Sequence, residues 1–188
     1  MAKEIRVALA GLGNVAAAIV MGIEYYKYVR ADMSAEELSK IAGIITPSIG
    51  GYVPGDLKIV AAFDVTANKI GKDLSEAIYE APNCCYPIIE KAKMPKIGAI
   101  CHAGPISDGC YKSDDGVYDT YKFFNAYDEA KVKPVDVAQV LRDTKAEILI
   151  NLLPVGSYKA SRIYAQAAID AGCGFINGIP EFIISEQV

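Results

Sequence analysis

The sequence predicts an α/β fold in which a doubly wound parallel sheet is flanked by helices. Short apolar segments alternate along the chain with segments whose apolar residues recur at helical spacing, as strands and helices do in such sheets. Glycine or polar residues follow the apolar segments directly, and ligands of doubly wound sheets bind at these carboxyl ends of the strands. With 188 residues, the chain fits one domain, residues 1–188.

Composition and charge restrict the class of ligand. The formal net charge is −4 and no segment collects lysine and arginine, so neither a nucleic acid nor an anionic membrane surface is expected as a partner. A small molecule is favoured instead. The five cysteines have irregular spacing and no CxxC pair, which favours a reducing cytoplasm. A zinc site on Cys101, His102 and Cys110 is the weaker alternative, and no metal is expected.

The first apolar segment predicts a strand, a turn and a helix rather than a membrane anchor. Residues 5–10 form the strand, and apolar residues recur at helical spacing from Val15 onward. Between them Gly11 and Gly13 interrupt the roughly 20 apolar residues that a membrane span needs. With Ala16 these glycines make a GxGxxA pattern, in which the backbone approaches a pyrophosphate at the helix start. A strand–turn–helix without a ligand is the alternative.

The second predicted strand, residues 56–64, ends in an acid. Asp64 lies where the ribose hydroxyls of a dinucleotide are bound, and an acid there favours NAD over NADP. The offset of 51 positions from Gly13 to Asp64 exceeds the usual offset of about 20, which predicts an insertion near 31–55. As an alternative, Asp64 caps a helix over 66–79. On that helix Lys69 and Lys72 are expected to face solvent, as is Lys159 later in the chain.

Three further strands and two helices complete the predicted sheet. The strands span 96–101, 147–153 and 174–177, and the helices run from about 135 to 141 and from an N-cap at Ser157 to Gly172. Residues 104–132 form a long excursion rich in Gly, Asp and Tyr, for which position alone favours a contribution to the ligand pocket. Polar side chains follow the later strands, as a ligand site would require: Asn151, Ser157 and Asn177.

Six segments together resemble the amino-terminal half of inositol-3-phosphate synthase, in its archaeal and bacterial branch. They are GLGNVAAAIVMGIEYYK, VAAFDVTANKIGKDLSEAI, GPISDG, PVDVAQVL, LINLLPVGSYKASRIYAQAAIDAG and FINGIPEFI. The resemblance covers nearly the whole chain. It implies a Rossmann-like domain carrying NAD, in a cytoplasmic isomerase of inositol and phospholipid biosynthesis. Such an enzyme converts glucose 6-phosphate to inositol 3-phosphate by oxidation at C5, enolisation, aldol closure and return of the hydride.

The resemblance also assigns roles to individual residues. The backbone around Gly11, Gly13, Asn14 and Val15 would hold the pyrophosphate, and Asp64 the adenosine ribose. A loop along the cofactor would comprise Leu152, Pro154, Gly156 and Ser157. Asn177 would lie where nicotinamide and sugar meet and would orient the substrate or the carboxamide. A turn-stabilising role for Asn177, before Gly178, is the alternative.

The family's second, catalytic domain is not recognisable in the 188 residues. That domain supplies the lysines that bind phosphate and stabilise the enolate, and much of the subunit interface. The resemblance therefore implies a catalyst that is incomplete alone, acting on a phosphosugar as a homo-oligomer or with a missing carboxyl-terminal half. A non-catalytic or regulatory NAD-binding module and another NAD-dependent dehydrogenase are the alternatives.

Overall fold

The computed structural model describes residues 4–112, 119–183 and 185. They form a five-stranded, all-parallel sheet with helices on both faces, which confirms the predicted fold class. The strands are β1 (Ile5–Ala10), β2 (Leu57–Asp64), β3 (Cys101–Ala103), β4 (Ile148–Asn151) and β5 (Gly174–Asn177). The helices are α1 (Asn14–Tyr26), α2 (Ala35–Ser39), α3 (Leu74–Ala77), α4 (Thr120–Phe123), α5 (Val137–Asp143) and α6 (Tyr158–Ala171), with 3₁₀ turns at Pro54–Asp56 and Lys91–Lys93.

The strand order β3-β2-β1-β4-β5 places β1 at the centre of the sheet. Ala10, at the carboxyl end of β1, pairs in register with Phe63 on one side and Asn151 on the other. Asp64 in turn pairs with Ala103. The carboxyl ends of the strands therefore meet at one edge, and the strand order reverses direction between β1 and β4, which is where doubly wound sheets bind ligands.

Successive side chains of β1 pack alternately into two hydrophobic cores, one on each face of the sheet. Val7 and Leu9 face the side of the sheet covered by α1 and α3, where they pack with Val20, Met21 and Leu74. Ala8 and Ala10 face the opposite side, covered by α5 and α6. Successive side chains of a strand point to opposite faces, so a strand buried on both faces is apolar at every position, as observed for Val7–Ala10.

Two predicted elements differ from the structure. The strand predicted at 96–101 begins only at Cys101, because the N–H groups of Ile97 and Gly98 donate to the Asp73 carboxylate instead of to a neighbouring strand. The helix predicted over 66–79 is confined to Leu74–Ala77, and its N-cap is Asp73. Asp64 therefore does not cap that helix.

The two predicted insertions have different surroundings. Within 31–55, helix α2 starts with a capping box between Ser34 and Glu37 and buries none of its residues. The excursion 104–132 returns to the sheet, since Tyr127 N–H donates to the Val65 carbonyl; its residues 113–118 lie outside the described part. In the described ranges, no helix has the length and apolarity that a membrane crossing demands, and no three potential metal-ligating side chains cluster.

Candidate functional site

A cavity of about 380 Å³ lies at the carboxyl edge of the sheet. Eight of the ten residues predicted for the site line it: Gly11, Gly13, Asn14, Val15, Asp64, Leu152, Pro154 and Ser157. Gly156 and Asn177 are not among its lining residues. The fold thus brings the end of β1, the end of β2 and the loop after β4 together around one space, although 141 residues separate Gly11 from Leu152.

The glycine turn between β1 and α1 forms one wall of the cavity. Gly11 has a φ of +90°, and a Cβ there would lie 2.9 Å from the Leu152 carbonyl oxygen, so a side chain is excluded both by conformation and by contact. A Cβ on Gly13 would meet no atom within 4 Å. Gly11 is therefore required by the fold, whereas Gly13 leaves open space for a ligand to reach the backbone.

The start of α1 offers unpaired N–H groups to this space. Gly13 is the N-cap and has no side chain to cap with, and the first N–H donated within the helix is that of Ala17, to the Gly13 carbonyl at 2.9 Å. The N–H groups of Asn14, Val15 and Ala16 precede it. Together with the positive end of the helix dipole they form a site for an anion such as a phosphate.

The Asn14 side chain is directed to a neighbouring loop rather than to the cavity centre. Its amide oxygen accepts the N–H groups of Cys84 at 2.7 Å and Cys85 at 3.0 Å. The backbone of Asn14 thus remains available to an anion while its side chain fixes α1 against the loop that follows α3.

Asp64 lies in the cavity wall and is only 9% exposed. One carboxylate oxygen accepts the Leu12 N–H at 2.8 Å, and the other accepts the Thr66 N–H at 2.8 Å. The carboxylate consequently holds the glycine turn in place. Each oxygen can accept more than one hydrogen bond, so these contacts leave room for hydroxyl donors of a ligand.

Lys69 is buried beside Asp64, which corrects the expectation that it faces solvent. Its side chain is 2% exposed, and the ammonium donates to the Leu12 carbonyl and to the Asn83 side-chain oxygen, both at 2.9 Å. The prediction failed because residue 69 lies in a turn, where helical periodicity does not apply. Lys159 is exposed as expected, and Lys72 is partly buried against Glu80 at 3.0 Å.

The excursion after β3 supplies the opposite wall, through residues 105, 107–110, 123 and 124. Asp108 reaches from it to the start of α6, where its carboxylate accepts the N–H groups of Lys159 at 2.7 Å and Ala160 at 2.9 Å. Ser157 occupies the N-cap position as predicted but makes no side-chain capping bond, because Asp108 takes the N–H groups that it would otherwise accept. A distant carboxylate therefore caps this helix.

The cavity-facing side of α6 carries Ser157, Ala160 and Tyr164. Ser157 is 2% exposed and Tyr164 is 2% exposed. Within the described residues neither hydroxyl is paired. The helix thus presents two hydroxyl groups that are free to bind a ligand.

Asn151 and Asn177 form a separate polar cluster at the ends of β4 and β5. The Asn151 amide donates to the side-chain oxygens of Ser161 at 3.0 Å and Asn177 at 2.9 Å. The Asn177 amide donates to the carbonyls of Ile179 at 3.0 Å and Glu181 at 2.8 Å. Both polar groups of the Asn177 side chain, its oxygen and its NH₂ group, are thus engaged within the protein. This geometry favours the turn-stabilising alternative, and the predicted role of Asn177 toward a substrate stays a prediction.

Burial keeps the sulfur of the cavity unreactive. Burial, reinforced by the negative charge of Asp64, raises the pKa of the Cys110 thiol to about 11, so the thiol is protonated at neutral pH. Burial likewise lowers the pKa of His102, whose ring is therefore neutral. Neither the thiol nor the ring is therefore charged in a way that would favour nucleophilic chemistry.

Comparison with known proteins shows which proteins the chain resembles. The chain is 42% identical over 184 residues to inositol-3-phosphate synthase of Corynebacterium glutamicum, covering 98% of this chain and 46% of that protein. The chain is a homologue of the inositol-3-phosphate synthases. It spans about half the length of the curated relatives it matches. No protein-family model matches it.

Two solved structures share the fold. The structure of Ari2 superposes with a TM-score of 0.71 at 32% identity, over 96% of this chain and 46% of that one. A myo-inositol-1-phosphate synthase-related protein from Thermotoga maritima superposes with a TM-score of 0.54 at 20% identity, over 96% and 49%. The second likeness concerns the fold alone.

The sequence analysis did not predict three of the residues that line the cavity in this synthase homologue. They are Lys69, Asp108 and Tyr164. Lys69 and Asp108 act on backbone groups far along the chain, and no local pattern signals such contacts. For Tyr164 a signal exists, since it follows Ser157 by seven residues and α-helical residues at that spacing share a face.

Proposed function

We propose that residues 1–188 are the NAD-binding domain of an inositol-3-phosphate synthase, an enzyme that converts glucose 6-phosphate to inositol 3-phosphate by internal oxidation, aldol cyclisation and reduction. One observation carries the proposal. In a homologue of the synthases, an uncapped helix start and the carboxylate at the end of β2 face one cavity at the switch point of the sheet. That combination matches the diphosphate and the ribose of a dinucleotide.

The lining residues divide between the parts of NAD. The N–H groups of Asn14 and Val15 bind the diphosphate, and Asp64 accepts the ribose hydroxyls of adenosine. An acid at that position repels the 2′-phosphate of NADP. Leu152, Pro154, Gly156 and Ser157 follow the cofactor toward nicotinamide. When bound, NAD supplies the hydride acceptor for the sugar.

Completion of the reaction requires cations from outside the described cavity. Lys69 is the one lysine among its described lining residues, and its ammonium is already held by Leu12, Asn83 and Asp64. An enolate and a phosphate need positively charged groups aimed at them. We therefore expect the domain to act with a further segment or a second subunit, in a cytoplasmic setting that the free thiols support.

The engaged Lys69 also favours a second candidate, a non-catalytic NAD-binding module. Calorimetric titration with NAD⁺ and NADP⁺ tests the binding that both candidates share, with NAD⁺ expected to bind more tightly. To separate the two candidates, the chain is combined with the carboxyl-terminal half of a synthase, incubated with NAD⁺ and glucose 6-phosphate, and assayed for inositol phosphate. Formation of inositol phosphate favours the synthase, and its absence favours the non-catalytic module. Absence of NAD⁺ binding would refute both candidates, and net NADH accumulation with a simple alcohol would indicate another dehydrogenase.

A further inference from the structure

Tyr164 carries a hydroxyl for which the described part of the chain provides no partner. Its ring packs against Phe63 with centroids 5.7 Å apart, and the residue is 2% exposed. No hydrogen bond to this hydroxyl exists within residues 4–112, 119–183 and 185. Asn68 Oδ1 is the one fully buried side-chain atom without a partner among the described residues. The Tyr164 oxygen is therefore reached by solvent, and a ligand in the cavity can pair with it.

Tyr164 lines the cavity, and its hydroxyl lies next to Gly104. Tyr164 is a lining residue of the cavity, and a Cβ built on Gly104 would overlap the hydroxyl oxygen. Gly104 directly follows β3, and its N–H donates to the Asp64 carbonyl at 3.0 Å. The missing side chain at residue 104 therefore makes space for the tyrosine hydroxyl at the ends of β2 and β3.

The hydroxyl is protonated over the whole physiological range. Burial raises the pKa of Tyr164 well above its ordinary value, and the negative charge of Asp64 acts in the same direction. A protonated phenol can donate one hydrogen bond and accept others. It can thus pair with a hydroxyl or with a ring nitrogen of a ligand.

The position of the hydroxyl identifies the part of the ligand that it meets. With the diphosphate at the start of α1, after β1, the adenosine half extends toward β2, where Asp64 receives the ribose. Tyr164 and Gly104 lie on this same side of the cavity. Ser157 lies two helical turns away, about 10 Å along α6, toward the loop after β4.

We propose that the Tyr164 hydroxyl hydrogen-bonds the adenosine half of the dinucleotide, which makes Tyr164 a binding residue for the cofactor. The inference rests on the proposed NAD-binding function. It implies that the hydroxyl has no protein partner within the described part of the apo domain and gains a partner when the ligand binds. Replacement by phenylalanine should therefore affect the bound state and leave the free state intact.

A neighbouring tyrosine provides the matched control. Tyr127 is 1% exposed, but its hydroxyl donates to the Gly104 carbonyl at 2.8 Å, and it is not a lining residue of the cavity. Both tyrosines are thus buried near Gly104, but the Tyr127 hydroxyl is paired within the protein, whereas the Tyr164 hydroxyl has no partner among the described residues.

The test is calorimetric titration of the wild-type chain, Tyr164→Phe and Tyr127→Phe with NAD⁺ and ADP-ribose, together with thermal unfolding without ligand. We expect Tyr164→Phe to lower the affinities for NAD⁺ and for ADP-ribose by the same factor, about 2- to 12-fold, which corresponds to the loss of one neutral hydrogen bond. The Tm of this variant should equal that of the wild type. Tyr127→Phe should lower Tm and keep both affinities.

Three results would overturn the inference while leaving NAD binding in place. They are unchanged affinities in Tyr164→Phe, weakening of NAD⁺ but not of ADP-ribose, which would assign the hydroxyl to the nicotinamide half, and a Tm loss in Tyr164→Phe as large as that in Tyr127→Phe. Failure of the wild-type chain to bind NAD⁺ would instead refute the proposed function itself, before any variant is compared.

Discussion

Asp64 and Lys69 hold the backbone of one residue, Leu12, on both of its sides. The carboxylate of Asp64 accepts the N–H of Leu12 and the ammonium of Lys69 donates to the carbonyl of Leu12, while the two side chains approach each other to 3.5 Å. Leu12 is the middle residue of the glycine turn. The turn that faces the ligand is therefore fixed by a buried ion pair before any ligand binds, which lowers the ordering cost of binding.

Removal of the Lys69 ammonium should destabilise the chain strongly. Lys69→Met leaves Asp64 buried without its cation, and breaking such a pair costs about 3–5 kcal/mol. Lys72→Met removes a lysine that is only partly buried, and should cost less than about 1 kcal/mol. Urea unfolding followed by circular dichroism measures both. Equal losses would mean that the ion pair does not hold the turn.

The two glycines of the turn should respond oppositely to alanine. Gly11→Ala places a side chain at φ +90° against the Leu152 carbonyl, a strain of about 1–3 kcal/mol that lowers Tm. Gly13→Ala meets no atom within 4 Å, so Tm should stay or rise. Its methyl group would project into the space proposed for the diphosphate, and NAD⁺ affinity should fall at least about tenfold, or about 1.4 kcal/mol. Unchanged affinity would place the diphosphate elsewhere.

Asp64→Ala should weaken NAD⁺ binding by about 1–3 kcal/mol, as expected when a hydrogen-bonded charged group is lost. The measurement is calorimetry at a temperature where the variant is fully folded, because the same carboxylate also holds Leu12. The affinity for NADP⁺ should fall less than the affinity for NAD⁺, since the acid is proposed to repel the 2′-phosphate. An affinity for NAD⁺ equal to that of the wild type would limit Asp64 to its contact with the turn.

Asp73 should make stability depend on acid pH. Burial alone would raise the pKa of this carboxyl, but hydrogen bonds from Ser75, Ile97 and Gly98 outweigh it and the pKa is lowered. A lowered pKa means that the stabilisation is complete above the ordinary value of about 4 and is lost as pH falls below it.

Asp73→Asn should therefore cost about 1–3 kcal/mol at pH 7, and its difference from the wild type should shrink below pH about 4. Asp136→Asn provides the control, because that exposed N-cap accepts a single N–H, from Gln139. It should cost less than about 1 kcal/mol at pH 7. A difference for Asp73→Asn that stays constant with pH would contradict the assignment.

Local patterns in the sequence predict much of the fold and part of the cavity. The strand before Gly11 and the strand ending in Asp64 are continuous apolar runs, and such runs identify strands buried on both faces. Their carboxyl ends must meet in a parallel sheet, so eight predicted residues line one cavity. The strand predicted at 96–101 is wrong before Cys101. The N–H groups of Ile97 and Gly98 donate to Asp73, 24 and 25 residues earlier, and a local pattern does not signal contacts of that kind.

Long-range contacts explain what local patterns miss. The burial of Lys69 depends on Leu12, 57 residues earlier, and the capping of α6 depends on Asp108, 51 residues before Lys159. Neither partner can be inferred from periodicity, because periodicity assigns a face and not a contact. The same holds for Tyr164, whose helical face is predictable but whose unpaired hydroxyl is a property of the packed cavity.

The reach of Asp108 across the cavity also bears on the order in which the chain folds. The amino-terminal side of the sheet can assemble as soon as β1 to β3 exist, but the start of α6 gains its cap only when a segment made 51 residues earlier docks on it. The cavity therefore has all of its walls only after both segments have been synthesised and have docked on each other.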